Sequence, residues 1–476
     1  MVKYQRVFEP EDQKWFAVLS GDNNPVHLDS VQARRLLFGK PVVHGIHLLM
    51  WALDSLLVTT KATCRIESMT ASFRKPVYPG DQVTIAHQSS GDNSFNLEVT
   101  SVGETKAKFE IELCPTVNVS KEALQVDARV PLLRELESLQ DDDYLERKGT
   151  LFLHLPQAEY QQLFPNCVRW LEPTQAATLL AISRLVGTEC PGLNSILHQI
   201  QVSDRSTELG TSVRWRVTEF DERTRRLPLS MESSHLSGEL VAFVRPEPVR
   251  QPDSTELGLL VHRNEFSTQH ALVVGASRGL GEVVAKLLAL GGSRVTATYN
   301  LGKDDASRVA KDVEAVGGDI QFLEFDVTKS DPTVLLDDSN LIPTSLYYCC
   351  SPKIPMDRTG VFSTRILEEL LQYYVVHFIE MVNVLAESNL NRIFYPSTVA
   401  LNDMPLSMRE YAVAKSAGEA ACASIEVSYP NISMYSPRLP RIQTDQTASI
   451  LPVRSEDISL LVLKHLRNLS SQNVNI

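Results

Sequence analysis

A chain of 476 residues is long enough for two to four domains, and 43% hydrophobic against 22% charged residues excludes a disordered tail, a disulfide miniprotein and a collagen-like rod. Its 46 lysines and arginines fall short of 58 aspartates and glutamates, a net charge of −12. There is thus no general basic surface for a phosphate backbone, and nucleic acid is not an expected partner. The seven cysteines are odd in number, scattered and without a CxxC pair, which reads as free thiols in a reducing compartment with no metal site.

The opening Met1-Val2-Lys3-Tyr4-Gln5 lacks an apolar signal core, and the longest apolar stretch, 36–58, is broken by Lys40, His44, His47 and Asp54. A cytoplasmic protein with no membrane span is expected. Residues 1–115 then show a helical stretch at 32–57 and strand-like runs at 64–73, 82–87, 95–102 and 105–113. A weakly structured joint at 116–148 carries the acidic run Asp141-Asp142-Asp143. Residues 149–245 repeat the order: a helix at 172–186, then strands at 196–202, 212–220, 227–234 and 238–244. A long helix followed by an antiparallel sheet is an α+β arrangement, and its recurrence points to a structural duplication. A second joint, 245–265, is rich in proline. Block three, 266–476, alternates strands (270–274, 294–299, 320–325, 346–349, 392–396, 432–435) with helices such as 364–387 and 411–427. That rhythm predicts an open, doubly wound parallel sheet.

Two clusters carry chemistry. In the first block, Ser20-Gly21-Asp22-Asn23-Asn24-Pro25-Val26-His27-Leu28-Asp29 is followed by Val43-His44-Gly45. An acid and a histidine five residues apart around a proline turn can share one substrate or one water. The pattern resembles the MaoC-type (R)-specific enoyl-CoA hydratases, whose fold is the hotdog. The resemblance implies that Asp22 and His27 form the catalytic dyad, that Asn24 orients it, and that the backbone N–H of Gly45 is the oxyanion donor for a thioester carbonyl. His44 and His47 are expected to be supporting or structural. Block two has the helix-then-sheet order without the motif; its Glu172, Asn194 and His198 lack that spacing. It is expected to be a non-catalytic half that pairs with block one, because a lone sheet of this kind leaves an exposed edge.

In the third block a strand runs into Gly275-Ala276-Ser277-Arg278-Gly279-Leu280-Gly281 and then a helix. Glycines there let a backbone approach a pyrophosphate, which the helix N-terminus attracts. Asp326-Val327, Tyr411 with Lys415, and Pro437 with Thr444 follow in order, and the set resembles the short-chain dehydrogenase/reductase family. The resemblance implies a Rossmann-type domain in which Ser277, Leu280 and the neighbouring glycines hold the cofactor, Asp326-Val327 meets the adenine, and Thr444 covers the nicotinamide. It makes Tyr411 the general acid/base and Lys415 the cation that lowers its pKa and holds the ribose. Ser397 and Thr398 both qualify for the carbonyl-orienting hydroxyl. Two departures stand out: Cys350-Ser351-Pro352 replaces the family's Asn-Ala-Gly, and its helix asparagine aligns best with His377. Thr298-Tyr299-Asn300 offers no acid for a ribose 2′-hydroxyl, whereas Arg278 can meet a 2′-phosphate, so NADP(H) is favoured over NAD(H).

The expected architecture is therefore an α+β double hotdog followed by a Rossmann-type domain. The expected activity is a bifunctional interconversion of 3-oxoacyl, (R)-3-hydroxyacyl and trans-2-enoyl thioesters of coenzyme A or acyl carrier protein in a homo-oligomer of the fatty-acid metabolic type. Two other readings follow from the same motifs: supply of a 3-hydroxyacyl group for glycan or lipid modification, and a protein in which one unit only binds.

Overall fold

Between Glu104 and Pro115 apolar and polar residues alternate, and the strand they form buries Ala107, Phe109, Ile111 and Leu113. It belongs to the first of two units in a computed structural model, which describes all residues except 1, 61, 117–125, 134–135, 206–209, 337–341, 355–361, 452 and 472–476. The units are Met1–Glu247 with Ser449–Pro452, and Pro248–Ala448 with Val453–Ile476.

The first unit opens with β1 (Val2–Val7), α1 (Pro10–Ser20), the single turns α2 (Pro25–Leu28) and α3 (Ser30–Ala33), and α4 (Gly45–Leu56). β2 (Cys64–Phe73), β3 (Gln82–Ser89), β4 (Ser94–Ser101) and β5 (Glu104–Pro115) follow. The plan then repeats through β6 (Lys148–Phe152), α5 (Gln157–Leu163), α6 (Pro165–Trp170), α7 (Pro173–Arg184), β7 (Ser195–Ser203), β8 (Ser212–Val217), β9 (Arg226–Glu232) and β10 (Ser237–Val244). Among the described residues these ten strands make one sheet, ordered β1-β3-β4-β5-β2-β7-β10-β9-β8-β6. Read from either edge the order is the same, so the halves are related by a pseudo-twofold passing between β2 and β7. These two pair antiparallel, Met69 opposite Val202 and Ala71 opposite Ile200. That pairing removes the edge each half would otherwise expose.

α4 is buried from Ile46 to Leu56, as a helix wrapped by a sheet must be. One apolar cluster joins the halves through Leu49, Phe109, Leu180 and Leu240, so the first two blocks share a core. The expected single helix at 32–57 is instead interrupted: Gly39 takes a left-handed turn before Pro41, and the long helix begins only at Gly45. β1 and β6 were not foreseen. They are short runs that stand apart in sequence from the strands they join. The acidic run forms a single 3-10 turn, and the next residue, Tyr144, is fully buried in the core.

The second unit contains α8 (Ser254–Gly258), β11 (His270–Val274), α9 (Gly279–Leu290), β12 (Arg294–Tyr299), α10 (Lys303–Glu314), β13 (Ile320–Glu324), β14 (Ser345–Tyr348), α11 (Thr364–Leu371), α12 (His377–Ala386), β15 (Arg392–Phe394), β16 (Ser397–Thr398), α13 (Ala400–Asp403), α14 (Arg409–Ser428), β17 (Ser433–Tyr435), β18 (Arg438–Leu439) and α15 (Ile458–Ser471). Six strands, all parallel, run in the order β13-β12-β11-β14-β15-β17. One face is covered by α9, α10 and α15, the other by α12 and α14. The order reverses between β11 and β14, the switch point at which such sheets bind ligands. The helical stretch expected at 364–387 is split by a π-turn, Gln372–Val376. The proline-rich joint is pinned to this unit from Pro248 onward: Lys286, itself in ion pairs with Glu282 and Asp312, donates to the Pro252 carbonyl at 2.9 Å.

Candidate active sites

α1 ends at Gly21, and the chain turns through Asp22 and Asn24 into α2. Asp22 is 3% exposed. Its carboxylate accepts a hydrogen bond from the Ser183 hydroxyl at 2.7 Å and from the Asn24 amide at 3.3 Å. Burial nevertheless pushes the carboxyl up to about 6, the two hydrogen bonds pulling the other way. The Asn24 carboxamide caps α2 through Val26 N–H and donates to the carbonyls of Gly187 (2.9 Å) and Gly192 (3.1 Å). His27 Nδ1 lies 2.7 Å from the Val42 carbonyl, which assigns the proton to Nδ1 and leaves Nε2 as an acceptor. Burial lowers His27 to about 4, so its imidazole is neutral at ordinary pH.

His44 stacks on His27 with ring centroids 3.7 Å apart and reaches the Gln13 side chain and the Asp22 carbonyl. His47 packs among Phe8, Phe16 and Phe164. Ligand atoms of Asp22, His27 and His44 lie within 4.8 Å of one another. The two rings are only 23° from parallel, however, so their in-plane lone pairs occupy separate planes and do not converge on one ion at the ~2.0–2.1 Å of a metal–imidazole bond. Gly45 opens α4 and so stands at the positive end of that helix; a Cβ there would press on the Phe73 ring at 3.2 Å.

The symmetric helix is built differently at the same place. α7 also has 12 residues, but its first is Pro173, which has no N–H, and its cap, Glu172, spends a carboxylate oxygen on Gln175 N–H at 2.7 Å. Asn194 and His198 do not meet: Asn194 donates to the Ser138 hydroxyl, and His198 Nδ1 faces the Phe73 carbonyl.

In the second unit the glycine turn fits a pyrophosphate. Gly275 holds a φ of +82°, where a Cβ would lie 2.8 Å from Cys350 Cα, and a Cβ on Gly281 would collide with the Gly275 carbonyl. Arg278 caps α9 without a side-chain hydrogen bond to the helix, which leaves the first-turn N–H groups of Gly279, Leu280 and Gly281 to an anion. Ser277 is buried, and the Thr444 methyl lies over Gly279. Val327 is buried beside Asp326, whose carboxylate accepts from the Thr328 amide and hydroxyl. Arg278 is paired with the buried carboxylate of Asp445 at 3.2 Å. Lys353, lowered to about 8 chiefly by burial, donates to the Asp445 carbonyl.

Tyr411 and Lys415 sit one turn apart on α14, both buried. Thr398 stands close enough to Tyr411 to favour the ionised phenol, while Ser397 donates to Glu419 at 2.5 Å. Of the two candidate hydroxyls, Thr398 therefore accompanies the phenol. Lys415 donates to the Pro396 carbonyl at 2.7 Å, its ammonium 4.0 and 4.6 Å from the ring centres of Tyr374 and Tyr395. Burial drives Tyr411 up to about 12 against the pull of Thr398, and drives Lys415 down to about 8. The Lys415 ammonium is thus held by the Pro396 carbonyl and the two rings rather than bonded to the phenol.

His377 does not reach this cluster; its Nδ1 is bonded to Glu380 at 2.8 Å. Tyr374 takes the place beside Lys415, and its hydroxyl meets Ser351 at 2.5 Å. Tyr374 lies within the π-turn Gln372–Val376, three residues before His377. Sequence reading also missed Ser183, Gly187 and Asp445, which reach their partners only through the tertiary fold.

Residues 2–109 match the family model of the MaoC like domain, and residues 269–336 that of the short chain dehydrogenases. The chain thus joins a MaoC-like hotdog domain to a Rossmann-type short-chain dehydrogenase/reductase domain. Over 94 residues it is 36% identical to an (R)-specific enoyl-CoA hydratase of Aeromonas caviae, covering 19% of this chain and 61% of that one. Over 103 residues it is 32% identical to a short-chain dehydrogenase/reductase of Pestalotiopsis microspora, covering 21% and 37%. The first curated relatives it matches are spanned over only 37% of their own length. A 3-oxoacyl (acyl-carrier-protein) reductase from Agrobacterium tumefaciens C58, solved with NADP bound, aligns with a TM-score of 0.34 at 19% identity over 39% of this chain and 74% of that one. Among the described residues no helix is long and apolar enough to cross a membrane.

Proposed function

We propose that the protein interconverts 3-oxoacyl, (R)-3-hydroxyacyl and trans-2-enoyl thioesters, hydrating or dehydrating in the first unit and reducing with NADPH in the second. The observation that carries the first activity is the Asp22–His27 pair: a buried carboxylate that titrates near 6 beside a neutral imidazole with a free Nε2, next to the opening turn of α4. Both groups hold one water. Asp22, ionised above about pH 6, takes its proton as the oxygen adds to Cβ of the enoyl thioester. The charge then developing on the thioester oxygen is met by Gly45 N–H, and the proton held by the dyad passes to Cα. Dehydration reverses these steps. The half with Pro173 and Glu172 in place of Gly45 and His44 has no such donor and is read as non-catalytic.

In the second unit, a nicotinamide cofactor seated on the glycine turn supplies a hydride to the 3-oxo carbon. The N–H groups of Gly279 to Gly281 would hold its pyrophosphate, and Asp326 and Val327 would hold its adenine end. Thr398 orients the carbonyl, Tyr411 gives its phenolic proton to the forming alkoxide, and Lys415 supplies the positive charge. Arg278, released from Asp445, would hold a 2′-phosphate and so favour NADP(H).

Two assays test this reading: hydration of crotonyl-thioester to the (R)-3-hydroxy product, and loss of NADPH absorbance with acetoacetyl-thioester. Absence of the first refutes the hydratase. Absence of the second with the first intact makes the C-terminal unit a binding module, a reading that the turned-away Lys415 ammonium favours.

A further inference from the structure

The half without a dyad is not a bystander. Ser183 is the eleventh residue of α7, and its hydroxyl donates to Asp22 Oδ2 at 2.7 Å across the pseudo-twofold. The eleventh residue of α4 is Ser55, whose hydroxyl faces His87 Nε2 at 3.0 Å instead of an acid. The same helix position is thus polar in both halves, but only one copy meets a carboxylate. Beyond α7 the chain passes through the π-turn Leu185–Glu189, where Gly187 lies so close to Asp22 that a Cβ would collide with its carboxylate. This segment gives the Gly187 carbonyl, and the turn just beyond it the Gly192 carbonyl, to the Asn24 carboxamide. Asp22 and Asn24 are therefore fixed by a different half from the one that bears His27 and Gly45.

We propose that Ser183 is a positioning residue of the Asp22–His27 dyad, and that its hydroxyl together with the open floor at Gly187 holds the Asp22 carboxylate in its working orientation. This rests on the hydratase reading above. A hydrogen bond to an ionised carboxylate favours the charged form, so Ser183 also keeps Asp22 in its base form to lower pH. The charged and titratable groups around Asp22 are few. His27 and His44 come from its own half. Arg184 of α7 turns its guanidinium to the Phe152 carbonyl at 2.5 Å, and Arg245 turns its own to the Leu193 carbonyl. The two histidines are held neutral by burial. Of the two hydrogen bonds to the Asp22 carboxylate, the one from the Ser183 hydroxyl is the shorter, 2.7 Å against 3.3 Å.

The test is the pH–rate profile of crotonyl-thioester hydration by the full chain. In Ser183→Ala the acid limb should move up by about one pH unit, with about a tenfold loss below pH 6 and little change in KM. A merely structural role would lower the melting temperature and scale the whole profile without moving its limb. Gly187→Ala should lose hydration by at least tenfold while NADPH binding by fluorescence stays as in wild type. An unmoved acid limb in Ser183→Ala, or full activity in Gly187→Ala, overturns the proposal. A wild type that fails to hydrate crotonyl-thioester overturns instead the hydratase reading on which it rests.

Discussion

The two proposed sites bury an acid beside a hydroxyl, yet the acids end far apart. Asp22 beside Ser183 rises to about 6, and Tyr411 beside Thr398 rises to about 12. The physical cause is the same, loss of hydration of the charged form. A carboxyl starts low, so burial brings it into the range where it can take and return a proton near neutrality. A phenol starts at about 10 and is carried further away. The first site is thus tuned by the fold itself. The second keeps its phenol protonated and needs a cation brought to bear, while its lysine is occupied with Pro396, Tyr374 and Tyr395.

Exchange of the acids gives the largest expected effects. Asp22→Asn should lower crotonyl-thioester hydration by about 10²–10⁴-fold and leave acetoacetyl-thioester reduction unchanged; Tyr411→Phe should do the reverse. If either variant lost both activities, the independence of the two sites would be wrong. Gly281→Ala comes next, because the added Cβ collides with the Gly275 carbonyl inside the phosphate turn. NADPH binding, followed by fluorescence, should weaken by at least tenfold with hydration intact. Unchanged NADPH affinity would place the cofactor somewhere other than this turn.

The contrast in acidity predicts a contrast in pH dependence. Hydration needs ionised Asp22, and that form is lost as pH falls through about 6, so its rate should show an acid limb centred there. His27, lowered to about 4, adds no limb in that range. Reduction uses a phenol that stays protonated throughout, and should be flat across the same interval. Matching acid limbs in both activities would point to a shared step such as substrate binding.

Local pattern made much of this legible. β2, β11 and β12 begin and end where alternation or an apolar run between turn residues places them, and the Asp22–His27 and Tyr411–Lys415 spacings are local in sequence. What sequence could not supply depends on distance and register. Ser183 meets Asp22 across 161 positions and Asp445 meets Arg278 across 167, with no local signal for either. His377 lies past the π-turn Gln372–Val376 and is bonded to Glu380, a partner that alignment with the family's helix asparagine does not reveal. The spacing of Tyr411 and Lys415 puts both on one helix, but the direction of the Lys415 ammonium follows from the carbonyl of Pro396, which sequence does not aim.

The smallest predicted effect sharpens the comparison at the cofactor. Arg278 is the guanidinium expected to meet a 2′-phosphate, yet it is already paired with a carboxylate that is 6% exposed. NADP(H) must therefore take the arginine from Asp445 and then sit near that residual charge, whereas NAD(H) makes no such demand. Asp445→Asn is nearly isosteric and keeps an oxygen for the Val249 amide, which Asp445 now accepts at 2.7 Å. It should tighten NADPH binding severalfold, the range of a partly exposed ion pair, and leave NADH affinity unchanged. Equal tightening of both cofactors would mean that Asp445 acts through the fold of the 443–447 strap, and weaker NADPH binding would mean that it holds Arg278 in the orientation the phosphate requires.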